Sequence, residues 1–413
     1  MNKSFYRRDN CRLCNSKNLE LVVHLAPTPI ADDYVTAERI SDIQEAYPLD
    51  LFFCQDCGHV QLLDVVDPET LFRNYTYVTS VSLGLVEHFR KYADNALNRF
   101  SAQSGALAVE IGSNDGSLLR FFKDKGMRVL GIDPAREIAR SATESGIETL
   151  PTFFNSEVAC SIRKERGPAT IVCANNVFAH ADNIADIADG IRELLAHDGM
   201  FVFEVSYLVD IVHNKLFDTV YHEHLCYHSV KSLDTFFRKH GMEFVDIERI
   251  PTKGGSLRGF VQLAGGPRKV SPSVSELITL EESIGFDKAE LFKDFAAELE
   301  GIKKQLLSLL HDLKAQGKVI AGYGASATVT TLMYYFGLGD ILSFIVDDNP
   351  VKQGRLSPGH HIQVLPPQAL YDGTPDYVVI LAWAYSEPII KKHQAYLEVG
   401  GHFIKPLPDV EII

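Results

Sequence analysis

The chain has 413 residues, 46% of them hydrophobic and 23% charged, so it is long enough for two or three soluble globular domains. Its formal net charge of -14 disfavours an extended contact with nucleic acid, because phosphate binding needs clustered Lys and Arg. The sequence lacks the run of about 18 apolar residues that a membrane helix needs, so we expect no membrane partner and take the cytoplasm as the default location.

Four of the seven cysteines form two closely spaced pairs near the N-terminus, Cys11 with Cys14 and Cys54 with Cys57. A C-x-x-C spacing puts two thiolates on one tight turn, and two such turns can together enclose one Zn²⁺ tetrahedrally. A redox-active pair is the alternative. Because four sulfurs leave no open coordination position, we expect the zinc to be structural and residues 1–70 to form a small zinc-binding module of β structure.

Residues 71–265 alternate between short apolar runs and helical periodicity. Continuous apolar runs at this spacing are typical of a parallel sheet that helices cover on both faces. The strands predicted from these runs lie at residues 106–111, 128–132, 170–174 and 200–205. The pattern predicts a Rossmann-like domain.

A glycine-containing turn at residues 112–116 joins the first of these strands to a helix. Its spacing differs from the G-x-G-x-x-G of NAD-binding domains, and Glu110 at the strand end would repel a pyrophosphate. Asp133, about 20 residues beyond the turn, is placed to accept both hydroxyls of a ribose. A ligand with a ribose and an amino group, S-adenosylmethionine, suits both carboxylates. The residues that we expect to bind it are Glu110, Gly112, Ser113, Asn114, Gly116, Asp133, Pro134, Asn175 and Asn176.

The densest group of titratable side chains lies at residues 221–229, on the side of the sheet where such folds bind ligands. We expect His224 to act as a general base near neutral pH, with Glu223 or Tyr221 setting its orientation and charge. Further candidates for the same proton-transfer site are His180, Tyr75 and Tyr77.

Two other interpretations of this histidine-rich segment remain open. If the segment were a strand, alternate side chains would share one face and could bind a transition metal. The residues on that face would be His222, His224, Cys226 and His228. Alternatively, the histidines are hydrogen-bonded structural groups without a catalytic role.

A long, charge-rich helical stretch at about residues 274–316 leads into a second α/β unit. Its predicted strands lie at residues 318–322, 343–347 and 377–382. A turn with glycines at 322 and 324, followed by Asp347, imitates an NAD fingerprint, so a nicotinamide-dependent oxidoreductase is one alternative function. A zinc-stabilised nucleotide-sugar-binding protein without enzymatic activity is another.

The order of these motifs resembles that of the zinc-containing, S-adenosylmethionine-dependent sugar C-methyltransferases of deoxysugar biosynthesis. The resemblance covers nearly the whole chain. It includes both cysteine pairs, the turn at 110–116, the segments 221–224 and 253–258, and Lys352-Gln353-Gly354. It implies an α/β fold in three parts, namely a zinc-binding module at 1–70, a middle methyltransferase domain at 71–265 and a C-terminal Rossmann-like domain at 266–413 that binds a nucleotide sugar.

The resemblance also implies the reaction, which is methyl transfer to C3 of a nucleotide-linked 4-keto-deoxysugar through an enolate. His224 corresponds to the family's base, Glu223 and Tyr221 to its partners, and His180 with a tyrosine of the Tyr75/Tyr77 pair to further active-site groups. O- or N-methylation of a related nucleotide sugar is the alternative, and we expect a monomer. The residues implied in substrate binding are Lys253, Ser256, Arg258, Tyr323, Ser326 and Lys352.

Overall fold

The computed structural model describes residues 5–73, 79, 84–100, 104–373 and 375–413. Within these residues lie four β-sheets, and the two largest, of seven and six strands, are the predicted α/β units. The prediction of an α/β fold with an N-terminal cysteine module and two Rossmann-like units is confirmed.

The N-terminal part is a small β structure joined to the middle domain. Its elements are β1 (Phe5–Arg7), β2 (Leu19–Val23), β3 (Leu51–Cys54), β4 (Val60–Leu62), β5 (Asp64–Val66) and the helix α1 (Pro68–Phe72). Strands β2, β3 and β4 are antiparallel, and a fourth strand, β11 (Cys226–Tyr227), pairs with β4. Since β11 lies within the predicted histidine segment at 221–229, the module holds part of that segment in place.

The middle domain alternates strands and helices as predicted. Its helices are α2 (Leu85–Phe100), α3 (Ser117–Asp124), α4 (Arg136–Glu144), α5 (Ser156–Arg166), α6 (Ile184–Leu194), α7 (Leu208–His213) and α8 (Val230–Lys239). Its strands are β6 (Leu107–Ile111), β7 (Arg128–Ile132), β8 (Thr149–Leu150), β9 (Ala169–Asn175), β10 (Leu195–Ser206), β12 (Met242–Ile250) and β13 (Ser256–Leu263). The four predicted strands are confirmed as β6, β7, β9 and β10.

The sheet of this domain has the order β8-β7-β6-β9-β10-β13-β12, with β13 antiparallel to both of its neighbours. From β6 the chain moves outward through β7 and β8, then returns to β9 on the other side of β6. The loops that follow β6 and β9 therefore diverge and leave a crevice at the carboxyl ends of these strands, where doubly wound folds bind their ligands.

The C-terminal part follows the same plan with a six-stranded sheet in the order β16-β15-β14-β17-β18-β19. Its strands are β14 (Ile320–Tyr323), β15 (Ile345–Val346), β16 (Val364–Leu365), β17 (Tyr377–Ile380), β18 (His402–Lys405) and β19 (Glu411–Ile412). Its helices are α9 (Pro272–Ser283), α10 (Ala289–Ala315), α11 (Ala327–Phe336), α12 (Ala369–Asp372), α13 (Ser386–Lys392) and α14 (Gln394–Glu398). The ends of β14 and β17 form the corresponding crevice.

The single helical stretch expected at 274–316 is instead two helices, α9 and α10. Gly285 has φ +84° just after α9, and Phe286 donates its backbone N–H back to the Glu281 carbonyl, which closes the end of the helix. Helix α10 then packs on the zinc-binding module, where the Phe292 and Phe53 rings lie 5.6 Å apart. Periodicity alone did not show this break because the apolar pattern continues across it.

All three parts contribute to one continuous hydrophobic cluster. It includes Leu51 from the N-terminal part, Val172 and Phe203 from the middle domain, and Leu306 and Ile345 from the C-terminal part. A core shared in this way resists independent movement of the parts, because separating them would expose buried apolar surface. Residues that the three parts bring together are therefore held in a fixed arrangement.

Candidate active site

The four N-terminal cysteines converge on one point. Their Sγ atoms all lie within 4.8 Å of one another, with Cys11 and Cys57 3.6 Å apart and Cys14 and Cys54 3.5 Å apart. Zn–S bonds of about 2.3 Å in a tetrahedron put sulfurs roughly 3.8 Å apart, so this spacing fits Zn²⁺. Four thiolates fill the coordination shell, and zinc at this site is structural.

A cavity of about 460 Å³ lies at the carboxyl ends of β6 and β9. Loops of the middle domain form one wall, and Val65, Pro68 and Phe72 of the N-terminal part contribute to the other. The residues predicted to bind the cofactor that line this cavity are Glu110, Gly112, Ser113, Asn114, Asp133, Pro134, Asn175 and Asn176. Gly116 has a different place, since it caps the start of α3 with φ 74°.

Glu110 is the next-to-last residue of β6, and its side chain is turned into the interior, where only 3% of the residue is exposed. Burial raises the pKa of this carboxyl well above its usual value, and the nearby Asn175 amide opposes the rise. Within the described residues, neither Oε2 of Glu110 nor Oγ of Ser113 has a hydrogen-bond partner. Buried polar atoms without partners are costly, so these two atoms mark where a polar ligand such as the amino-acid end of S-adenosylmethionine fits.

Asp133 directly follows β7 and is held by the neighbouring backbone. Its carboxylate accepts hydrogen bonds from the N–H groups of Asn114, at 2.8 Å, and Ala135, at 2.9 Å. These two bonds fix the direction of the carboxylate and oppose the rise in its pKa that burial causes. Each oxygen keeps a free acceptor site, so the residue fits the expected role of binding two ribose hydroxyls.

Three residues of this crevice have left-handed backbone conformations. Gly112 has φ 68°, and a Cβ there would lie 2.3 Å from the Val177 side chain, so only glycine fits. Asn114 and Asn176 have φ 49° and 55°, which is uncommon for residues with a side chain. Such conformations cost free energy that the surrounding structure must offset, and they concentrate at ligand sites.

His224 lines the same cavity from the opposite side. Its Nδ1 lies 2.7 Å from the Thr219 carbonyl oxygen, which can only accept, so Nδ1 carries the proton and Nε2 is the basic nitrogen. Burial lowers the pKa of His224 to about 4, so the ring is neutral at pH 7. The structure brings two other predicted residues to it, with ring centroids 4.9 Å away for His180 and 4.1 Å for Tyr221.

The remaining histidines of the segment point elsewhere. His222 is buried with Nε2 3.2 Å from the Tyr47 carbonyl oxygen, and the ring of His228 stacks on that of His59 at 5.6 Å. Residues 221–225 form a loop rather than a strand, so alternate side chains do not share a face. The transition-metal interpretation is therefore wrong, and the four cysteines are the one metal-type cluster within the described ranges.

Lys253 reaches the cavity from a strained turn. It has φ 53° and is followed by Gly254 and Gly255, which also have positive φ angles. Its side chain lines the cavity with Glu223 and His224. Desolvation lowers the pKa of Lys253, and the negative charges of Glu204 and Glu223 oppose this shift. The turn thus places a positive charge beside the candidate base.

The structure does not bring Ser256 or Arg258 to the cavity, although the resemblance implied both. The Ser256 hydroxyl donates to the Thr252 carbonyl at 3.0 Å. Arg258 is 5% exposed, and its Nε donates to Glu204 at 2.6 Å. These side chains point into the packed interior beside β13, where they hold the sheet and its neighbours together.

Three other residues implied in substrate binding belong to the C-terminal part. The Tyr323 hydroxyl lies 2.9 Å from His393, and Ser326 stands at the N-cap position of α11 without a side-chain capping hydrogen bond. Lys352 forms an ion pair with Asp32 of the N-terminal part at 2.6 Å. The remaining two predicted catalytic residues, Tyr75 and Tyr77, lie outside the described residues.

The NAD-like turn of the C-terminal part is crowded by a carboxylate from the middle domain. Asp218 is buried and accepts a hydrogen bond from the Trp383 indole at 2.9 Å. Burial raises its pKa to about 7, and Thr328 in the first turn of α11 opposes this rise. A dinucleotide pyrophosphate would need the start of this helix. The buried Asp218 side chain, which contacts Thr328, already lies beside this helix start, and this disfavours the nicotinamide alternative.

Sequence reasoning missed the wall of the cavity that the N-terminus supplies. Tyr6 and Asp182 line it, and the Tyr6 hydroxyl donates to the Asp182 carboxylate. Arg8 and Arg12 pair with the same carboxylate at 2.9 and 3.0 Å. Local sequence carries no signal for contacts between residues 170 or more positions apart.

Comparisons with known proteins agree with this architecture. Family models match a zinc binding domain at residues 11–72, a methyltransferase domain at 85–247 and a C-methyltransferase C-terminal domain at 251–408. The chain is 37% identical over 406 residues to C-methyltransferase NovU of Streptomyces niveus, which covers 98% of this chain and 97% of the relative.

The chain also resembles solved structures over part of its length. The PH0226 protein from Pyrococcus horikoshii OT3 is 13% identical, with a TM-score of 0.37, over 48% of this chain and 98% of its own. Magnesium protoporphyrin IX methyltransferase (ChlM) from Synechocystis PCC 6803, solved with bound SAH, is 13% identical, with a TM-score of 0.34, over 43% of this chain and 83% of its own.

The sheet order, the glycine-containing turn at residues 112–116, the four-cysteine cluster and the matching family models define the class of protein. It is an S-adenosylmethionine-dependent methyltransferase with a structural zinc site. The chain belongs to the zinc-containing C-methyltransferase family that includes NovU. Among the described residues, none of the helices has both the length and the hydrophobicity needed to cross a membrane.

Proposed function

We propose that this C-methyltransferase methylates C3 of a nucleoside-diphosphate-linked 4-keto-deoxysugar. S-adenosylmethionine supplies a methyl group on a positively charged sulfur. Nε2 of His224 removes the proton from the carbon next to the ketone, that carbon takes the methyl group, and the sulfur leaves as a neutral thioether. The order of motifs supports the sugar substrate, because it resembles that of the sugar C-methyltransferases of deoxysugar biosynthesis.

One observation carries this proposal. One end of the cavity holds the carboxyl groups of Glu110 and Asp133, which we expect to bind S-adenosylmethionine. The other end holds His224, a neutral histidine with one free basic nitrogen. Methyl transfer to oxygen needs only modest help from a base, whereas transfer to carbon first requires removal of a C–H proton. A buried base held in one tautomer opposite the donor suits the second reaction.

The negative charge of the enolate also needs stabilisation. The Lys253 ammonium group lines the cavity near His224, as do the rings of His180 and Tyr221. Positive charge and hydrogen-bond donors that are already in place stabilise a developing oxyanion more effectively than water does. We assign this role to Lys253, and we propose Glu223 and Tyr221 as the partners of His224 in the same cavity.

The remaining assignments follow the three-part architecture. We propose that residues 1–70 are the zinc-binding module, 71–265 the methyltransferase domain and 266–413 the domain that binds the nucleotide portion. We also propose that the protein acts as a monomer. A zinc site built from four cysteines that form no disulfide fits a reducing, cytoplasmic location.

Product analysis tests this function. The protein is incubated with S-adenosylmethionine carrying a ¹³C-labelled methyl group and a panel of nucleoside-diphosphate-linked 4-keto-deoxysugars, and products are examined by mass spectrometry and NMR. The proposal predicts a label on the ring carbon next to the ketone. A label on oxygen or nitrogen would show the alternative methyltransferase, and binding of the donor without a labelled sugar from any member of the panel would contradict the proposed substrate class.

A further inference from the structure

The short turn before the histidine segment belongs to the middle domain but lies against the C-terminal part. A 3-10 helix, Phe217–Thr219, forms this turn, and the Phe217 ring packs beside those of Tyr335 and Phe336 on α11, at 4.8 and 5.4 Å. The Thr219 carbonyl at its end accepts the hydrogen bond from Nδ1 of His224. The position of this turn therefore sets the position of the His224 ring.

Two side chains of the C-terminal part hold the turn by hydrogen bonds. The Thr331 hydroxyl on α11 donates to the Val220 carbonyl at 2.7 Å, and the Trp383 indole N–H donates to the Asp218 carboxylate at 2.9 Å. These bonds attach to the residues on either side of Thr219. Thr331, Trp383 and Asp218 are 1%, 7% and 5% exposed, so water does not compete for the bonds.

The two donors come from the ligand-binding edge of the C-terminal sheet. Helix α11 follows β14, and Trp383 follows β17, and these strands are neighbours in that sheet. Doubly wound folds bind ligands at this edge. Two hydrogen bonds thus attach the C-terminal sheet edge to the turn, and a third joins the turn to His224 in the middle domain.

We propose that Thr331 and Trp383 are positioning residues for the base His224. They hold the Thr219 carbonyl where it fixes the Nδ1–H tautomer and directs Nε2 into the cavity. The C-terminal domain then completes the catalytic group in addition to any role in binding substrate. This inference rests on the proposed function, in which His224 removes the proton.

A neighbouring threonine provides a matched control. Thr330 is also on α11, is 3% exposed and donates its hydroxyl to a carbonyl in another part of the chain, that of Ala31, at 2.6 Å. Its side-chain hydrogen bond is made outside the turn, and it is not among the residues that line the cavity. Replacing either threonine by valine keeps the shape and removes one buried interdomain hydrogen bond, so a purely structural effect would be similar in both variants.

The experiment compares the full-length proteins Thr331→Val, Thr331→Ser, Trp383→Phe and Thr330→Val. The tautomer of His224 is measured by ¹⁵N NMR of the imidazole nitrogens without substrate, and solvent deuterium exchange is measured with the 4-keto sugar that gives turnover. We expect Thr331→Val and Trp383→Phe to lose the single Nδ1–H form and to lower the exchange kcat by about tenfold or more, since small misplacements of a base are costly. Thr331→Ser should restore both, and the KM of the donor should not change.

Thr330→Val should match the unmodified protein in tautomer and exchange rate. If Thr331→Val and Trp383→Phe keep the tautomer and kcat, or if Thr330→Val changes them equally, the positioning role is wrong. Failure of the proposed function would look different, because exchange would then persist when His224 itself is replaced. The NMR result is independent of that outcome.

Discussion

Nδ1 of His224 lies 2.7 Å from the carbonyl oxygen of Thr219, five residues earlier in the chain. Because a carbonyl oxygen only accepts, this contact determines which ring nitrogen holds the proton. Nε2 is left to act as a base in a cavity whose other end is built from the donor-side residues Glu110 and Asp133.

Replacing His224 by Asn should abolish most turnover and leave the donor site intact. We expect kcat to fall by about 10² or more, the usual size of a general-base contribution, with the Kd for S-adenosylmethionine little changed. Steady-state kinetics and calorimetric titration measure the two quantities. The exposed His197, replaced in the same way, is the control. Near-normal kcat in the His224 variant would remove this residue from the role of base.

Binding of S-adenosylmethionine should release a proton from Glu110. Burial raises the pKa of the free carboxyl, and a cationic ligand beside it favours the ionised form, so affinity should increase with pH while this group titrates. Calorimetry in buffers of different ionisation enthalpy measures the proton directly. Glu110→Gln should bind more weakly and release no proton. Identical proton release from that variant would assign the proton to another group.

Loss of one zinc ligand should release the metal and destabilise the N-terminal part. Cys54→Ser breaks the four-sulfur cluster, whereas Cys160→Ser replaces an exposed cysteine elsewhere and serves as control. Metal analysis should give one zinc per chain for the unmodified protein and the control, and less for Cys54→Ser. The unfolding temperature should fall with zinc, since a structural site contributes folding energy. Full zinc content in Cys54→Ser would contradict the assignment.

The buried His228 should make folding weaker in acid. Burial lowers its pKa to about 4, whereas an unfolded histidine titrates near 6.5, so between these values only the unfolded chain binds the proton. Its contribution is complete above about pH 6.5 and decreases as pH falls, by up to about 1.4 kcal/mol per pH unit. Urea unfolding of the unmodified protein and His228→Phe from pH 7 to pH 4.5 measures the difference. A difference independent of pH would show that the pKa of His228 is the same in the folded and the unfolded chain.

Structural features that depend on residues close together in the sequence agree with the predictions. The apolar runs became β6, β7, β9 and β10 because strands buried on both faces need continuous hydrophobic sequence. The cysteine pairs and the acidic strand ends at Glu110 and Asp133 also occupy the expected places, since each follows from local geometry.

Long-range partners could not be predicted in this way. Arg258 was expected at the substrate, but its buried partner Glu204 lies on another strand, and the sequence does not indicate which charge it meets. Thr219 contributes a backbone carbonyl, a group that every residue has, so no motif marks it. The place of His222 against Tyr47 likewise depends on how the zinc-binding module packs on the middle domain.

The most direct test of the central claim is deuterium exchange in D₂O with a nucleoside-diphosphate-linked 4-keto-deoxysugar and S-adenosylhomocysteine in place of the donor. If His224 removes a carbon-bound proton, the unmodified protein should introduce deuterium at the ring carbon next to the ketone faster than the uncatalysed reaction. His224→Asn should reduce that rate by about 10² or more. Methyl transfer without such exchange, or equal exchange in both proteins, would contradict base-catalysed carbon methylation by His224.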